Sequence, residues 1–193
     1  MRALMLAIAS VSSLAVGAST FAQTLKVNPN FSIDVTGFSG DPKVLPDAVS
    51  NIESLNRGRV AAIAYNNVAG TPGYGVILVA NGGSDVTFWR FDKPTGQGVA
   101  LTGASVPSWM LTWRQEKRAG IVAGARVSLA DAIRTAEASQ RGAPAVVAGI
   151  ARSAANSNVH AYMVGILKDG KLLPVAVNSQ TGSPIENPSA LDW

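Results

Sequence analysis

The stretch LADAIRTAEASQRGAPAVVA, residues 129–148, decides the fold, because the chain contains its pattern twice. It lies over LPDAVSNIESLNRGRVAAIA, residues 45–64, when the sequence is shifted by 84 positions. The identical residues are Leu45, Asp47, Ala48, Glu53, Arg57, Gly58, Ala61 and Ala64, which meet Leu129, Asp131, Ala132, Glu137, Arg141, Gly142, Ala145 and Ala148. A repeat of this kind indicates one small structural unit present in two copies.

The similarity continues when the shift is widened to 86, as if two residues had been inserted in a loop. Thr95-Gly96 then meets Thr181-Gly182, and Asp92 meets Asn178. At this shift an alternating trio also coincides: Tyr74, Val76 and Leu78 lie over His160, Tyr162 and Val164. Chance similarity between two Ala-rich stretches is the alternative. The matched Arg-Gly and Thr-Gly pairs at the two ends of the unit favour duplication.

Each copy is predicted to form one helix followed by three strands. In the second copy Ser128 is expected to cap the helix and Gly142 to stop it. The strands are expected at 59–66, 74–80 and 85–92 in the first copy, and at 145–152, 159–167 and 172–178 in the second. The predicted fold class is α+β: two modules, each a helix on one face of a three-stranded antiparallel sheet whose other face stays free.

These units divide the chain into consecutive segments. Residues 23–98 hold the first module, with an additional edge strand indicated by the alternation of Phe31, Ile33 and Val35. Residues 99–127 connect it to the second module at 128–186, and residues 187–193 form a C-terminal tail. In the connection, Trp109 and Trp113 lie four residues apart and hence on one helical face. Packing between the modules is favoured there over a binding platform.

The first 22 residues have the order of a secretory signal peptide. Arg2 carries a positive charge, an apolar run extends from Ala3 to Val16, and small residues precede a cleavage site after Ala22. An uncleaved membrane anchor is the alternative, but the run is shorter than the roughly 20 residues of a spanning helix. The protein is therefore expected in the periplasm or secreted, with no integral membrane segment after cleavage. The chain has no Cys, which excludes a lipid anchor on cysteine and leaves stability to hydrophobic burial.

The residues offer no catalytic, cofactor or metal constellation. His160 is the single histidine and has no metal ligands at suitable spacing, so it is interpreted as a half-exposed strand residue. Gly37-Phe38-Ser39-Gly40 lacks the last glycine of a nucleophile elbow. Without its first 22 residues the chain carries a formal charge of +3 (+4 less Arg2), too weak an excess to indicate nucleic-acid binding. An enzyme is not expected.

Two stretches of the second copy carry a family resemblance. Ser128-Leu129-Ala130-Asp131-Ala132-Ile133 opens the helix, and Val177-Asn178-Ser179-Gln180-Thr181-Gly182 ends the last strand. Together they resemble a PepSY domain, a module of peptidase propeptides and spore-coat-associated proteins, whose last strand usually ends Val-Asp-x-x-Thr-Gly. The resemblance covers about residues 127–186. It is weaker over 45–99, where the helix opens on Leu45-Pro46-Asp47, although Phe91-Asp92-Lys93-Pro94-Thr95-Gly96 keeps the ending.

The resemblance implies a cystatin-like helix-on-sheet fold outside the cytoplasm, and a role in inhibiting peptidases or regulating their activity. The family brings no catalytic residues, and its turn positions are interpreted as structural: Asp92, Thr95, Gly96, Asn178, Thr181 and Gly182. Asn178 replaces the usual Asp, and its side chain can make the same turn bonds. The functional hypothesis is an exported, non-catalytic protein that binds a peptidase or an extended peptide at an open sheet face or edge. The alternative is an envelope-associated structural or accessory protein without a peptidase partner.

Overall fold

The computed structural model of the protein describes residues 24–28, 31–68, 70–93, 97–100, 106–107, 113–153, 160–186 and 191–192. The predicted signal peptide, Trp109, the Thr95-Gly96 pair and most of the C-terminal tail lie outside these residues. The strands are β1 Thr24–Asn28, β2 Phe31–Asp34, β3 Arg59–Val68, β4 Thr71–Ala80, β5 Asp85–Asp92, β6 Gly98–Ala100, β7 Val106–Pro107, β8 Ala145–Ser153, β9 His160–Lys168, β10 Lys171–Asn178, β11 Pro184–Ile185 and β12 Leu191–Asp192. The helices are α1 Val44–Ser54, α2 Trp113–Gly124 and α3 Leu129–Ser139.

One large antiparallel sheet dominates the described part of the chain. Its strand order is β11-β10-β9-β8-β3-β4-β5-β6, with β12 also pairing with β8 and β7 with β5. β1 and β2 form a separate two-stranded sheet. The segment around Phe31 is therefore a strand, but it pairs with β1 and does not extend an edge of the large sheet.

The prediction of two helix-plus-three-strand modules is wrong. β3 of the first half pairs with β8 of the second through Ala62–Gly149, Ile63–Ala148 and Ala64–Val147, so the strands of both halves form one continuous sheet. In two separate three-stranded sheets, β3 and β8 would each be an edge strand with an open row of backbone donors and acceptors. Pairing β3 with β8 satisfies the central part of both rows. The small side chains at this junction let the strands lie close together, because a Cβ on Gly149 would already stand 3.1 Å from that of Ala62.

The helices α1 and α3 pack side by side on the sheet. α3 contacts β8, β9 and β10, α1 contacts β3 and β8, and the helices contact each other. Ser128 caps α3 as predicted, since its Oγ accepts the Asp131 N–H at 3.0 Å. α1 has no side-chain cap at Lys43. Arg134 of α3 lies 3.4 Å from the Asp47 carboxylate of α1.

The helix-covered face of the sheet holds the core. Along β9, Tyr162, Val164 and Ile166 alternate with the buried Ala161, Met163 and Leu167 of the opposite face. The largest fully buried side chains of the sheet are Tyr65, Tyr162, Ile63, Leu78, Met163 and Ile166; Met163 lies in a separate small cluster with Ala151 and Ala176. Leu45 and Val49 of α1 and Leu129 and Ile133 of α3 meet the core from above.

The strand pairing and its hydrogen bonds match positions of the two halves more closely than the sequence shifts of 84 and 86 do. The Glu53 carboxylate accepts the N–H of Val60 at 2.9 Å, and the Glu137 carboxylate accepts that of Ala145 at 2.9 Å. The ladder shifts directly after Val60 in one half and after Ala145 in the other. Tyr74 of β4 pairs with Phe91 of β5, and Tyr162 of β9 pairs with Val177 of β10, so the two tyrosines occupy matching positions.

The helix ends differ between the halves, contrary to the match of Arg57-Gly58 with Arg141-Gly142. After α3, Arg141 (φ 61°) and Gly142 (φ 77°) are both left-handed. After α1 the left-handed residue is Asn56 (φ 55°), and Gly58 has a φ of 131°. The loop from glutamate to strand is one residue shorter after α1, seven positions against eight, which accounts for the difference.

The turn after β10 is built as expected for an Asx turn. The Asn178 side-chain oxygen accepts the N–H of Gln180 at 2.8 Å and that of Thr181 at 3.2 Å. Gly182 has a φ of 75° and donates its N–H to the Asn178 carbonyl. Asparagine thus supplies the bonds that aspartate would make there.

Candidate binding groove

A groove of about 400 Å³ lies between α1 and the outer strands of the first half. One wall is a stripe of α1 and the other is the end of β5, with β4 beneath. Its lining residues are Val44, Asp47, Ala48, Asn51, Ile52, Ser54, Leu55, Tyr74, Phe91, Asp92 and Lys93. The helix positions recur at intervals of three and four residues, so they share one helical face.

The dimensions suit an extended chain segment. α1 has 11 residues and so is about 16 Å long at 1.5 Å per residue. An extended segment of roughly five residues covers that length at about 3.3 Å per residue. Leu55 is 50% exposed at one end of the groove, and is one of two large apolar side chains with such exposure in the described part of the chain.

Tyr74 distinguishes this groove from the corresponding place in the second half. Burial raises the pKa of Tyr74 to about 12 and that of Tyr162 to about 12, so both hydroxyls are protonated donors at neutral pH. The Tyr162 hydroxyl donates to the carbonyl of Val127 at 3.0 Å. The Tyr74 hydroxyl makes no hydrogen bond with any residue that the structure describes. The first half therefore offers an unused donor where the second half has an internal bond.

The charges around the groove are largely paired. Asp47 faces Arg134 at 3.4 Å, and the Asp92 carboxylate lies 3.5 Å from Nε of Arg90. Lys93 Nζ lies over the ring of Tyr65, 5.8 Å from its centroid. The lining thus combines apolar side chains with polar ones whose charges nearly cancel, which favours an apolar segment over a highly charged one.

Phe91 is held in place by a glycine on the next strand. Gly98 pairs with Phe91, and a Cβ at Gly98 would overlap the Phe91 ring. The ring therefore packs directly over β6 and forms a fixed side of the groove.

The sheet edges are less open than predicted. The Asn178 N–H and C=O bond Ser183 and Gly182, so the backbone of Asn178 faces away from β9. Alternation places Pro174 of β10 on the same outer edge, where it presents no N–H. β11 covers part of this edge, and β6 and β7 cover parts of the β5 edge. Addition of a peptide strand is disfavoured at β10, and the groove is the better candidate site.

Neither His160 nor Ser39, the residues considered for chemistry, lines the groove. His160 begins β9, is partly buried, and its carbonyl accepts from the N–H and Oγ of Ser179 at 3.0 and 3.1 Å. Ser39 is exposed in the loop before α1. In the described part of the chain, no three His, Asp or Glu side chains are grouped closely enough to hold a metal ion. The same residues include no helix long and apolar enough to cross a membrane.

Sequence reasoning missed the groove residues, although a signal was present. Leu55 directly follows the last residue of α1. At the shift of 84, the second half has the polar Ser139 in its place. An apolar residue at a surface position that its repeat partner leaves polar indicates an added contact surface.

No protein-family model matches the chain, and no curated protein matches it significantly. Among solved structures it is similar to a candidate lipoprotein of Clostridium difficile 630, with 13% sequence identity and a TM-score of 0.43, over 79% of this chain and 93% of that one. A likeness at that level carries no argument about function, and the groove is interpreted from its own geometry.

Proposed function

We propose that the protein is an exported, non-catalytic PepSY-like protein whose groove between α1 and β5 binds an extended segment of a protein partner, a peptidase or a peptide. The observation that carries the proposal is the Tyr74 hydroxyl in the groove, which has no hydrogen-bond partner among the described residues, at a position that the second half satisfies internally. The N-terminal sequence and the PepSY resemblance support an extracytoplasmic partner.

The lining determines what the segment must offer. Leu55 presents most of the exposed apolar surface, above the almost fully buried Ile52 and Phe91, so the segment needs apolar side chains that would otherwise be in water. The Tyr74 hydroxyl and the Asn51 amide can bond its backbone, which gives affinity without selecting one side chain. Since no strong charge surrounds the groove, binding should depend little on ionic strength.

We expect Leu55→Asp to weaken binding of such a segment at least tenfold, because it places a charge against the apolar ligand. Tyr74→Phe should weaken it about fivefold through loss of one hydrogen bond, while the ring keeps its packing. The probe is a heptapeptide selected from a displayed library on the purified mature protein, with affinity measured by fluorescence polarisation. Val99→Asp, at the other exposed apolar position, is the matched control and should bind as the native protein does.

Equal affinity of the native protein and Leu55→Asp for every selected peptide would remove the groove from the proposal. Selection of no peptide at all would instead favour the structural or accessory role in the envelope. Added to a secreted peptidase, the protein should slow cleavage of a substrate peptide without being consumed. Hydrolysis by the protein itself that disappears with His160→Ala would overturn the non-catalytic assignment.

Export is expected to remove residues 1–22, so that the mature protein begins at Gln23. The mass of the intact protein recovered from the periplasm or medium of an expressing bacterium checks this. A membrane-bound product that retains residues 1–22 contradicts it.

A further inference from the structure

A second pocket, of about 430 Å³, lies at the opposite side of the α1 terminus, where three turns meet. The loop after α1 forms one side, the β4–β5 turn another, and the end of α2 the third. Its lining residues are Asn56, Arg57, Gly58, Arg59, Val79, Ala80, Asn81, Gly82, Gly83, Val122 and Ala123. The lining contains two arginines and no acidic residue.

Both guanidinium groups are held in place by neutral partners. Nη1 of Arg59 donates to the carbonyls of Val122, near the end of α2, and of Ala125, just after it, at 2.8 and 2.9 Å. The guanidinium carbon of Arg57 lies 4.6 Å from the centroid of the Trp89 ring. Fixed guanidinium groups lose little side-chain freedom when a ligand binds them.

Neither positive charge is balanced by a carboxylate. The ion pairs of the described residues involve Arg90 and Arg134, and none includes Arg57 or Arg59. Nearby, Glu53 accepts the N–H of Val60, and Asp85 accepts the side-chain amide of Asn81. Nη2 and Nε of Arg59 and all donors of Arg57 make no hydrogen bond with the residues described.

We infer that Arg57 and Arg59 form a second ligand site, separate from the groove, that binds an oxyanion: a carboxylate or a phosphate group. Guanidinium donors match the paired oxygens of these groups, and charge-assisted bonds of this kind are the strong ones. Gly82 and Gly83 of the β4–β5 turn line the same pocket, and without side chains they leave the arginines accessible to a ligand. The inference stands without the proposed function of the groove.

The second half provides the comparison. Arg141 matches Arg57 in sequence and is likewise exposed after its helix, but the position of Arg59 is matched by Ala143 or Pro144, neither of which carries charge. Among the described residues, the pocket after α1 is therefore lined by two arginines, whereas the matching position after α3 offers one.

The test is titration of the ¹⁵N-labelled mature protein with sodium phosphate and, separately, sodium acetate, with sodium chloride holding the ionic strength constant. Saturable NMR shifts are expected for the amides of Gly58, Gly82 and Gly83 and for Nε of Arg59. Arg57→Gln should weaken binding about tenfold, the effect of losing one charge-assisted contact. Arg141→Gln should leave it unchanged. The tighter of the two anions identifies which group the pocket selects.

Shifts that grow linearly without saturation, or that sodium chloride reproduces, would mean adventitious ion binding and would overturn the site. An equal effect of Arg57→Gln and Arg141→Gln would assign the binding to general surface charge and overturn it as well. Arg59→Gln is a second variant rather than the primary one, because Arg59 also bonds the end of α2. The amide spectrum of the Arg59→Gln variant first shows whether the end of α2 keeps its structure, and only then is its affinity compared.

Discussion

We expect the free energy of unfolding of the native protein to fall by about 3 kcal/mol between pH 4.5 and pH 7 because of Glu137. Replacing Glu137 with Gln should remove this fall. Glu137 is 5% exposed at the end of α3. Burial raises the pKa of its carboxyl from 4.5 to about 7, although the bond from the Ala145 N–H favours the charged form. Asp41 and Asp47 also raise the pKa, and Arg134 lowers it.

The sign follows from proton binding. Between pH 4.5 and pH 7 the folded protein keeps the Glu137 proton that the unfolded chain has released, so the free energy of unfolding falls as the pH rises. Below that window both states are protonated and the penalty vanishes. The amide of Gln does not titrate, and its oxygen can still accept the Ala145 N–H. Other groups contribute to the pH profile of both proteins, so the difference between the two profiles isolates Glu137.

Urea unfolding of the native protein and of Glu137→Gln across this pH range measures the difference. Glu53→Gln is the matched control, because Glu53 accepts the corresponding bond from Val60 but is only half-buried. Parallel profiles for the native protein and Glu137→Gln would show that the carboxyl does not titrate in this window.

The sequence predicted the individual strands well where one face is apolar and the other is not. Tyr74, Val76 and Leu78 alternate with glycines and Ile77, and they form one side of β4 as expected. The Ser128 cap and the Asn178 turn were predictable for a similar reason, since each depends on bonds within four residues. Local chemistry determines these features whatever the rest of the fold does.

The joining of the two halves was not predicted, because it depends on pairing between distant segments. β8 is buried at every position from Ala145 to Ala151, on both faces of the sheet. Such a strand lacks alternation and is typical of the centre of a large sheet rather than of an edge. The apolar runs of β3 and β8 therefore indicated central strands, but the prediction of two separate units placed both strands at sheet edges.

The groove escaped prediction because no motif defines it. Its residues come from a helix, a strand end and the start of a loop, and only the fold brings Leu55 near Phe91. Sequence reasoning searched for catalytic groups and metal ligands, whereas the feature that matters is a donor on Tyr74 that its partner in the repeat has already used.

Replacing Gly58 with Ala is expected to destabilise the protein by about 3 kcal/mol or more, through strain and a backbone overlap together. Gly58 has a φ of 131°, which residues with a side chain rarely adopt. A Cβ there would stand 2.6 Å from the carbonyl oxygen of Val79 and 3.0 Å from its carbonyl carbon. Both atoms belong to the backbone of β4, so relief requires the strand or the loop to move.

Gly142 after α3 provides the matched control, because it shares the positive φ without the overlap. Its φ is 77°, and a Cβ would meet no atom within 4 Å. Gly142→Ala should therefore cost about 1 kcal/mol, the usual penalty for a side chain in the left-handed region. Urea unfolding measures the free energy lost in each variant. Gly142→Ala adds only a side chain near the left-handed region, whereas Gly58→Ala adds the overlap and a φ of 131° that lies farther from any region open to residues with a side chain. Equal losses for the two variants would mean that β4 moves freely away from the α1 loop. In that case the second pocket, which Gly58 and Val79 line together with Arg57 and Arg59, would not have rigid walls.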